Sequence, residues 1–237
     1  MVTGGSAARL SDAEPAGQGG DAYSPRQNAV LESALLLLVE GGEKALTTAG
    51  VARAANCSKE SLYKWFGDRD GLLAAMITFQ ASKVRGVAGG SAPATPETFR
   101  AGLTRFAEDL LRVLSGDVSL ALNRLAIGQA HRDAAPLGRL VREHGRRPIE
   151  ARLSALLEAG RARGFLQFDD THEAFSTLYG LVVRDMHVRL LLGDARDEDA
   201  AAVAGRAIDQ FLRLFGASEE ASEPAPQRTG TGNEPTG

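Results

Sequence analysis

From Ser24 to Phe215 apolar residues recur at three- and four-residue steps, and no segment alternates apolar and polar positions between turn signals. That periodicity predicts an all-α chain. Ser24 as N-cap and Pro25 at the first helical position start a helix. It carries Val30, Leu31, Ala34, Leu35, Leu38 and Val39 as one stripe and stops at Gly41-Gly42. Short helices follow from about Thr47 to Ala54 and from Lys59 to Trp65. A longer one runs from Asp68 through about Arg85, with Leu72, Leu73, Met76 and Ile77 facing inward.

Gly86 to Thr95, GVAGGSAPAT, is a connector of the composition that separates domains. Thr95-Pro96 then opens a helix bearing Phe99, Leu103, Phe106, Leu110 and Val113, which ends near Gly116. Further helices are expected at Asp117 to His131, at Pro136 to Arg163 with a bend or break near Pro148, at Asp170 to Leu192 and at Asp197 to Phe215. Residues 1–23 and 217–237 are rich in small and polar residues and cannot bury enough apolar surface to offset their ordering entropy, so both are expected to be disordered tails. The chain thus divides into an N-terminal three-helix domain over 24–75 and a larger helical bundle over 76–216.

Composition narrows the chemistry. With 27 basic and 30 acidic residues in 237 the formal charge is -3, so no global field holds the protein on nucleic acid or a membrane, and any such contact must be local. One cysteine, Cys57, and the lack of a basic start followed by an apolar stretch point to the cytoplasm. The longest apolar run, Ala34 to Val39, is far short of the roughly 20 residues that span a bilayer. His131, His144, His172 and His187 lack the i,i+4 spacing of a metal site, and no cofactor or metal is implied. No phosphate loop, nucleophile elbow or kinase-like constellation is present, so the sequence does not read as an enzyme.

The second and third helices meet across a four-residue joint, Ala55 to Ser58, which makes a helix-turn-helix whose second helix suits the major groove. Such a joint needs one residue at positive φ, and Asn56 is the non-glycine residue best able to supply it. Between Lys44 and Arg69, five basic residues (Lys44, Arg53, Lys59, Lys64, Arg69) face two acidic ones (Glu60, Asp68), a local +3 in a chain of -3. A surplus there is what phosphate neutralisation requires.

The stretch LTTAGVARAANCSKESLYKWFGDRDGLL, Leu46 to Leu73, resembles the DNA-binding domain of the TetR family of bacterial transcriptional repressors. The family's Thr-Thr, its Ala-x-x-Ala-Gly-Val-Ser turn, its Leu-Tyr-x-x-Phe and its Lys-x-x-Leu stand here as Thr47-Thr48, Ala52 to Ser58, Leu62 to Phe66 and Arg69 to Leu72. Asn56 replaces Gly, Cys57 replaces Val and Arg69 replaces Lys, each keeping the conformational, apolar or cationic property of its position. Gly160 to Gly193 is similar to the AefR-like C-terminal domain found on a subset of these repressors.

The resemblance implies a homodimer that pairs through its last two long helices and reads a pseudo-palindromic double-stranded operator. An unknown small apolar or amphipathic effector bound in the bundle would release it. Lys59, Ser61 and Lys64 fall where side chains meet base edges or nearby phosphates, and Thr48, Ser58, Tyr63 and Arg69 match backbone-contacting positions. Trp65 falls near the DNA backbone, where its indole N–H can donate to phosphate, with packing against the first helix as the equal alternative. Glu60 is expected to cap its helix, and Leu62 and Phe66 to be core. Cys57 is expected to serve as a small apolar residue rather than a redox switch. Phe106, Ile127, Phe175, Tyr179 and Met186 are candidates to line the effector site, each being more often plain core. Arg184 and Asp185, in an apolar run, could pair across a dimer, line a pocket or form a surface ion pair. Two rival readings are a helical enzyme or adaptor whose front helices are only structural, and a DNA-binding regulator without an effector.

Overall fold

The computed structural model describes residues 23–86, 93–131, 136–195 and 199–217. Eleven α-helices and one π-helical segment form among them: α1 Pro25–Ala45, α2 Thr48–Ala54, α3 Lys59–Phe66, α4 Arg69–Ser82, α5 Pro96–Ser115, α6 Asp117–Gly128, α7 Pro136–Leu140, a π segment Val141–Arg146, α8 Arg147–Ala162, α9 Thr171–Val183, α10 Met186–Leu192 and α11 Ala200–Phe215. No strand forms among the described residues, and the isolated antiparallel bridge pairs Leu166 with Gly216. The expected tails, apart from Tyr23 and Ala217, and most of the 86–95 connector lie outside the described residues.

The helix starts follow local chemistry. Ser24 and Gln27 form a reciprocal capping box, Gln27 N–H donating to Ser24 Oγ at 3.3 Å and Ser24 N–H to Gln27 Oε1 at 2.8 Å. Thr47, Ser58, Asp68, Asp170 and Asp199 each cap the helix that follows. The regular part of α1 ends at Gly42, whose φ of +63° leaves the helical region, and a further short stretch carries the helix on to Ala45.

Two expected outlines change. The span expected from Asp170 to Leu192 is broken into α9 and α10 at Arg184, which takes φ +50° with nothing in its residue type to announce it. In Pro136 to Arg163 the irregularity near Pro148 takes the form of a π turn just before it. Arg147 N–H bonds to Arg142 O, five residues back, so the ladder widens where proline then removes a donor.

The chain forms two compact units. Among the described residues, one comprises those up to Val84, those of Val113–Ile149 and Leu190–Asp194; the other comprises those of Arg85–Arg112, Glu150–Arg189 and Ala195 to Ala217. In the first, α1 packs on α2, α4 and α6, and α4 packs on α3, α7 and the π segment. Leu122, Ala126, Leu137 and Leu140 therefore join Val30, Leu31, Leu38, Val51, Leu62, Phe66 and Met76 in one core. A division at residue 75 or 76 marks a block of sequence, but packing does not stop there. Buried Leu72, Leu73, Ala75, Met76, Ile77, Gln80 and Ala81 wrap α4 too widely for α1 and α3 alone to cover. Tyr23, expected in the disordered tail, is half-buried with its ring 6.2 Å from that of Phe66, and burial raises its phenol above the ordinary value against a lowering hydrogen bond from Thr78.

In the second unit α9 packs on α11, and Phe99, Leu103, Phe106, Leu153, Phe175 and Phe211 are buried. Asp109 on α5 has a side chain only 2 % exposed. Arg85 donates to it from Nε at 2.8 Å, from Nη2 at 3.0 Å and from its backbone N–H at 3.3 Å, and Arg112 from Nη1 at 2.7 Å. Burial alone would push this carboxyl up; the donors outweigh it and hold it below the usual carboxylate range.

The linkage has a definite sign. A carboxylate with a depressed folded pKa contributes stability in full above the unfolded value of about 3.9, and loses it as pH falls through the lower folded value. Both arginines are largely exposed, so water screens the cluster, and Asp109→Asn is expected to cost about 1–2 kcal/mol at pH 7. Denaturant unfolding across pH 2–7 checks this: the two stability curves should converge at the acid end, and a constant offset at every pH would assign the loss to something other than the charge.

Candidate nucleic-acid interface

The geometry begins with the joint between α2 and α3. Asn56 takes φ +48°, as the joint requires, while Cys57 N–H reaches back to Ala52 O at 2.9 Å. The chain thereby reverses within a few residues, and Ser58 Oγ accepts from Ser61 N–H at 3.0 Å to start α3. Ser58, and not Glu60, is the cap; Glu60 stands in the first turn, where a negative charge suits the helix N-terminus. Cys57 is half-buried against the core.

Helix α3 is held from behind and open in front. Leu62 and Phe66 are buried in the core, whereas Lys59, Glu60, Tyr63 and Lys64 are exposed, Tyr63 to 55 %. Neither Lys59 nor Lys64 forms an ion pair with a described residue. Two ammonium groups and a phenol therefore project from one short helix with no described carboxylate paired to either ammonium, an arrangement that can neutralise phosphates and donate to base edges.

The other expected positions fall into two groups, with Trp65 apart from both. Thr48, Tyr63 and Arg69 come together around one shallow hollow with Leu46, Gly67 and Asp68 at the junction of α2, α3 and α4. Arg69 Nη2 lies 3.1 Å from Glu43 Oε1 in a half-exposed ion pair, so a phosphate would have to share or displace that carboxylate. Ser58 and Ser61 sit at the start of α3 with their hydroxyls 3.0 Å apart. Trp65 is half-buried, packs against the core and meets Phe66 edge to face at 6.3 Å.

One participant has no signature in the sequence. Arg26, near the start of α1, donates from Nη2 to Ala55 O at 3.1 Å and to Asn56 O at 2.7 Å. About 30 residues separate the partners, and no local periodicity pairs them.

The effector-site candidates are not gathered in one unit. Phe106 and Phe175 are buried in the core of the second unit, with Tyr179 and Met186 half-buried there and the Phe175 and Tyr179 rings 5.8 Å apart. Ile127 belongs to the first unit and is 60 % exposed. Arg184 and Asp185 sit exposed at the break between α9 and α10. His187, just beyond, has its ring nitrogen Nε2 buried with no hydrogen bond from a described residue, and burial lowers its pKa. Among the described residues no group of three His, Cys, Asp or Glu could hold a metal ion, and no helix is long and apolar enough to cross a membrane.

Comparison with known proteins meets this geometry from outside. Residues 30–76 match the family model for bacterial regulatory proteins of the tetR family, and residues 101–217 match that for the C-terminal domain of AefR-like transcriptional repressors. The chain is similar to a TetR transcriptional regulator of known structure from Agrobacterium tumefaciens: 62 % identity over 85 % of this chain and 100 % of that one, TM-score 0.73. It is also similar to the flavonoid-responsive regulator FrrA, at 26 % identity over 81 % of this chain and 97 % of that one, TM-score 0.57. A TetR-family protein from Mesorhizobium loti MAFF303099 shares the fold at 23 % identity over 81 % and 97 % of the two chains, TM-score 0.63. No curated protein sequence matches significantly.

Proposed function

The chain belongs to the TetR family of bacterial regulatory proteins and is a DNA-binding transcriptional regulator, and from that premise we propose that it acts as a homodimeric repressor, released from its operator by a small molecule. The observation that supports this reading best is the two-sided character of α3: Leu62 and Phe66 fix its back, and Lys59, Tyr63 and Lys64 stand free on its front. In the proposed dimer two such helices enter major grooves about 34 Å apart or a multiple of that, on a pseudo-palindromic site. Lys59, Ser61 and Lys64 reach base edges and nearby phosphates, while Thr48, Ser58, Tyr63, Trp65 and Arg69 hold the backbone, which sets register without reading sequence.

Subunits pair through α9 and α11, the last two long helices, which pack on each other and carry buried apolar faces, and the effector is apolar or amphipathic, held within the residue 76–216 region with Phe106, Phe175, Tyr179 and Met186 among its neighbours. Such a molecule works only by binding the released conformation more tightly than the bound one. The protein is read as a cytoplasmic binding protein, with no catalytic role assigned.

Selection of bound fragments from random duplexes tests the proposal. A two-fold symmetric motif should emerge, and affinity for it should fall steeply and linearly in log–log form as salt rises. An asymmetric motif would remove the dimer, and failure to enrich any motif would remove sequence-specific binding. Flavonoids are a reasonable first effector panel because FrrA responds to them. A compound that binds the folded protein should raise its melting temperature and release the selected duplex, and a compound that does only the first is not the effector.

A further inference from the structure

We infer that Arg26 is a positioning residue for sequence reading, acting through the α2–α3 joint and not by touching DNA; this rests on the reading role of α3. A single amino group, Nη2, bridges Ala55 O at 3.1 Å and Asn56 O at 2.7 Å. Those two carbonyls belong to the peptide units on either side of the Asn56 Cα, so tying both oxygens to one planar guanidinium restrains the φ and ψ of the residue between them. That residue is the one held at φ +48°. Left-handed backbone is unfavourable for a side chain other than glycine, even for asparagine, and it persists where surroundings over-determine it. Arg26 is such a surrounding group: a cation against carbonyls at the C-terminal end of α2, on a helix whose own first turn is locked by the Ser24–Gln27 capping box.

The consequence reaches the DNA because the joint sets the direction in which α3 leaves. Ser58 starts α3 two residues after Asn56, so a small change in the Asn56 torsions swings Lys59, Tyr63 and Lys64 together. Phosphate contacts made by flexible lysines survive such a swing. Directional hydrogen bonds to base edges do not. Loss of the clamp should therefore lower discrimination between sequences more than it lowers general affinity.

The test compares the full-length protein with Arg26→Ala, Arg26→Lys, Asn56→Gly and Arg26→Ala/Asn56→Gly. Each is titrated against a duplex enriched from random DNA by the unaltered protein and against a shuffled duplex, over a salt series, with the melting temperature of each variant alongside. Arg26→Ala should weaken binding to the enriched duplex about tenfold while affinity for the shuffled duplex and the salt slope stay unchanged. Arg26→Lys should recover only part of that loss, because an ammonium keeps the charge and can donate to both carbonyls but sits on a more flexible stem than the guanidinium's Nη2. Adding Asn56→Gly to Arg26→Ala should recover most of it, since glycine holds positive φ unaided.

A loss shared by both duplexes, with the slope falling by about 1 for each subunit's Arg26, would overturn the inference in favour of a phosphate-binding Arg26. A lower melting temperature with unaltered discrimination would reduce Arg26 to a purely structural role, and no change in either would remove it. Should Arg26→Ala not fold, Arg26→Lys and the double variant decide the matter by the same readouts. If the unaltered protein enriches no duplex, sequence reading itself fails and the inference falls with it; if it does and the variants match it, only the clamp fails.

Discussion

Replacing Gly71 with alanine should destabilise the first unit and disable DNA binding together. A Cβ at this position would lie 1.9 Å from the carbonyl oxygen of Phe66 and 3.2 Å from its carbonyl carbon. The obstacle is backbone, at the last residue of α3, and cannot rotate aside. Relief requires drawing the first turn of α4 away from the end of α3. That in turn strains the cap in which Gly71 N–H donates to Asp68 Oδ1 at 2.8 Å and lifts Leu72 and Leu73 from the core.

Overpacking of this kind costs about 1–3 kcal/mol, and the rigidity of the neighbour places Gly71→Ala at the upper end. Gly128→Ala is the matched control: its Cβ meets nothing within 4 Å, so it should be neutral or gain up to about 1 kcal/mol from reduced unfolded-state entropy. Denaturant midpoints for the pair, with operator titrations at a temperature where both are folded, check this. A Gly71→Ala protein that unfolds with its parent would show that the α3–α4 junction yields easily to an added methyl group.

The second large effect is expected from removing both ammonium groups of α3. Lys59 and Lys64 are exposed and carry no ion pair among the described residues, so Lys59→Ala/Lys64→Ala should leave folding within about 0.5 kcal/mol of the parent. Affinity for the selected duplex should nevertheless fall by about 1,000-fold or more, because each lysine's interaction with DNA is worth about 1–3 kcal/mol and recurs in both subunits of the proposed dimer. The salt slope separates the two kinds of interaction: it shrinks by about 0.9 for each phosphate no longer neutralised and stays put where a lysine had met only bases. Unchanged affinity in a folded double variant would move the DNA-reading surface off the front of α3 altogether.

The match between pattern and structure is closest where the physics is local. Ser24, Thr47, Ser58, Asp68 and Asp170 stand at helix starts because an oxygen on a short side chain satisfies amide groups within three residues of itself. The all-α class, the helix-turn-helix and the family followed from that layer and from the motif it carries. Arg184 shows its limit: an arginine in an apolar run gives no sign that φ will turn positive, and the helix breaks there all the same. The π turn ahead of Pro148 shows it again, since proline announces a disturbed ladder without choosing its form.

What the sequence by itself determined is therefore the all-α class, the capped helix starts, the reversal at Asn56 and the side of α3 that carries lysine, because hydrogen bonds between near neighbours and the 3.6-residue period act within one turn or joint. Tertiary structure alone decided that Arg26 grips the reversal, that Tyr23 leans on Phe66, that α6 and α7 complete the core of α1 to α4, and that Asp109 gathers Arg85 and Arg112. Most of those pairings span tens of residues, and even the short step from Asp109 to Arg112 draws its strength from a burial that the whole second unit creates. Which surfaces meet depends on how every apolar face in a unit is covered at once, a condition that no single stretch of chain encodes.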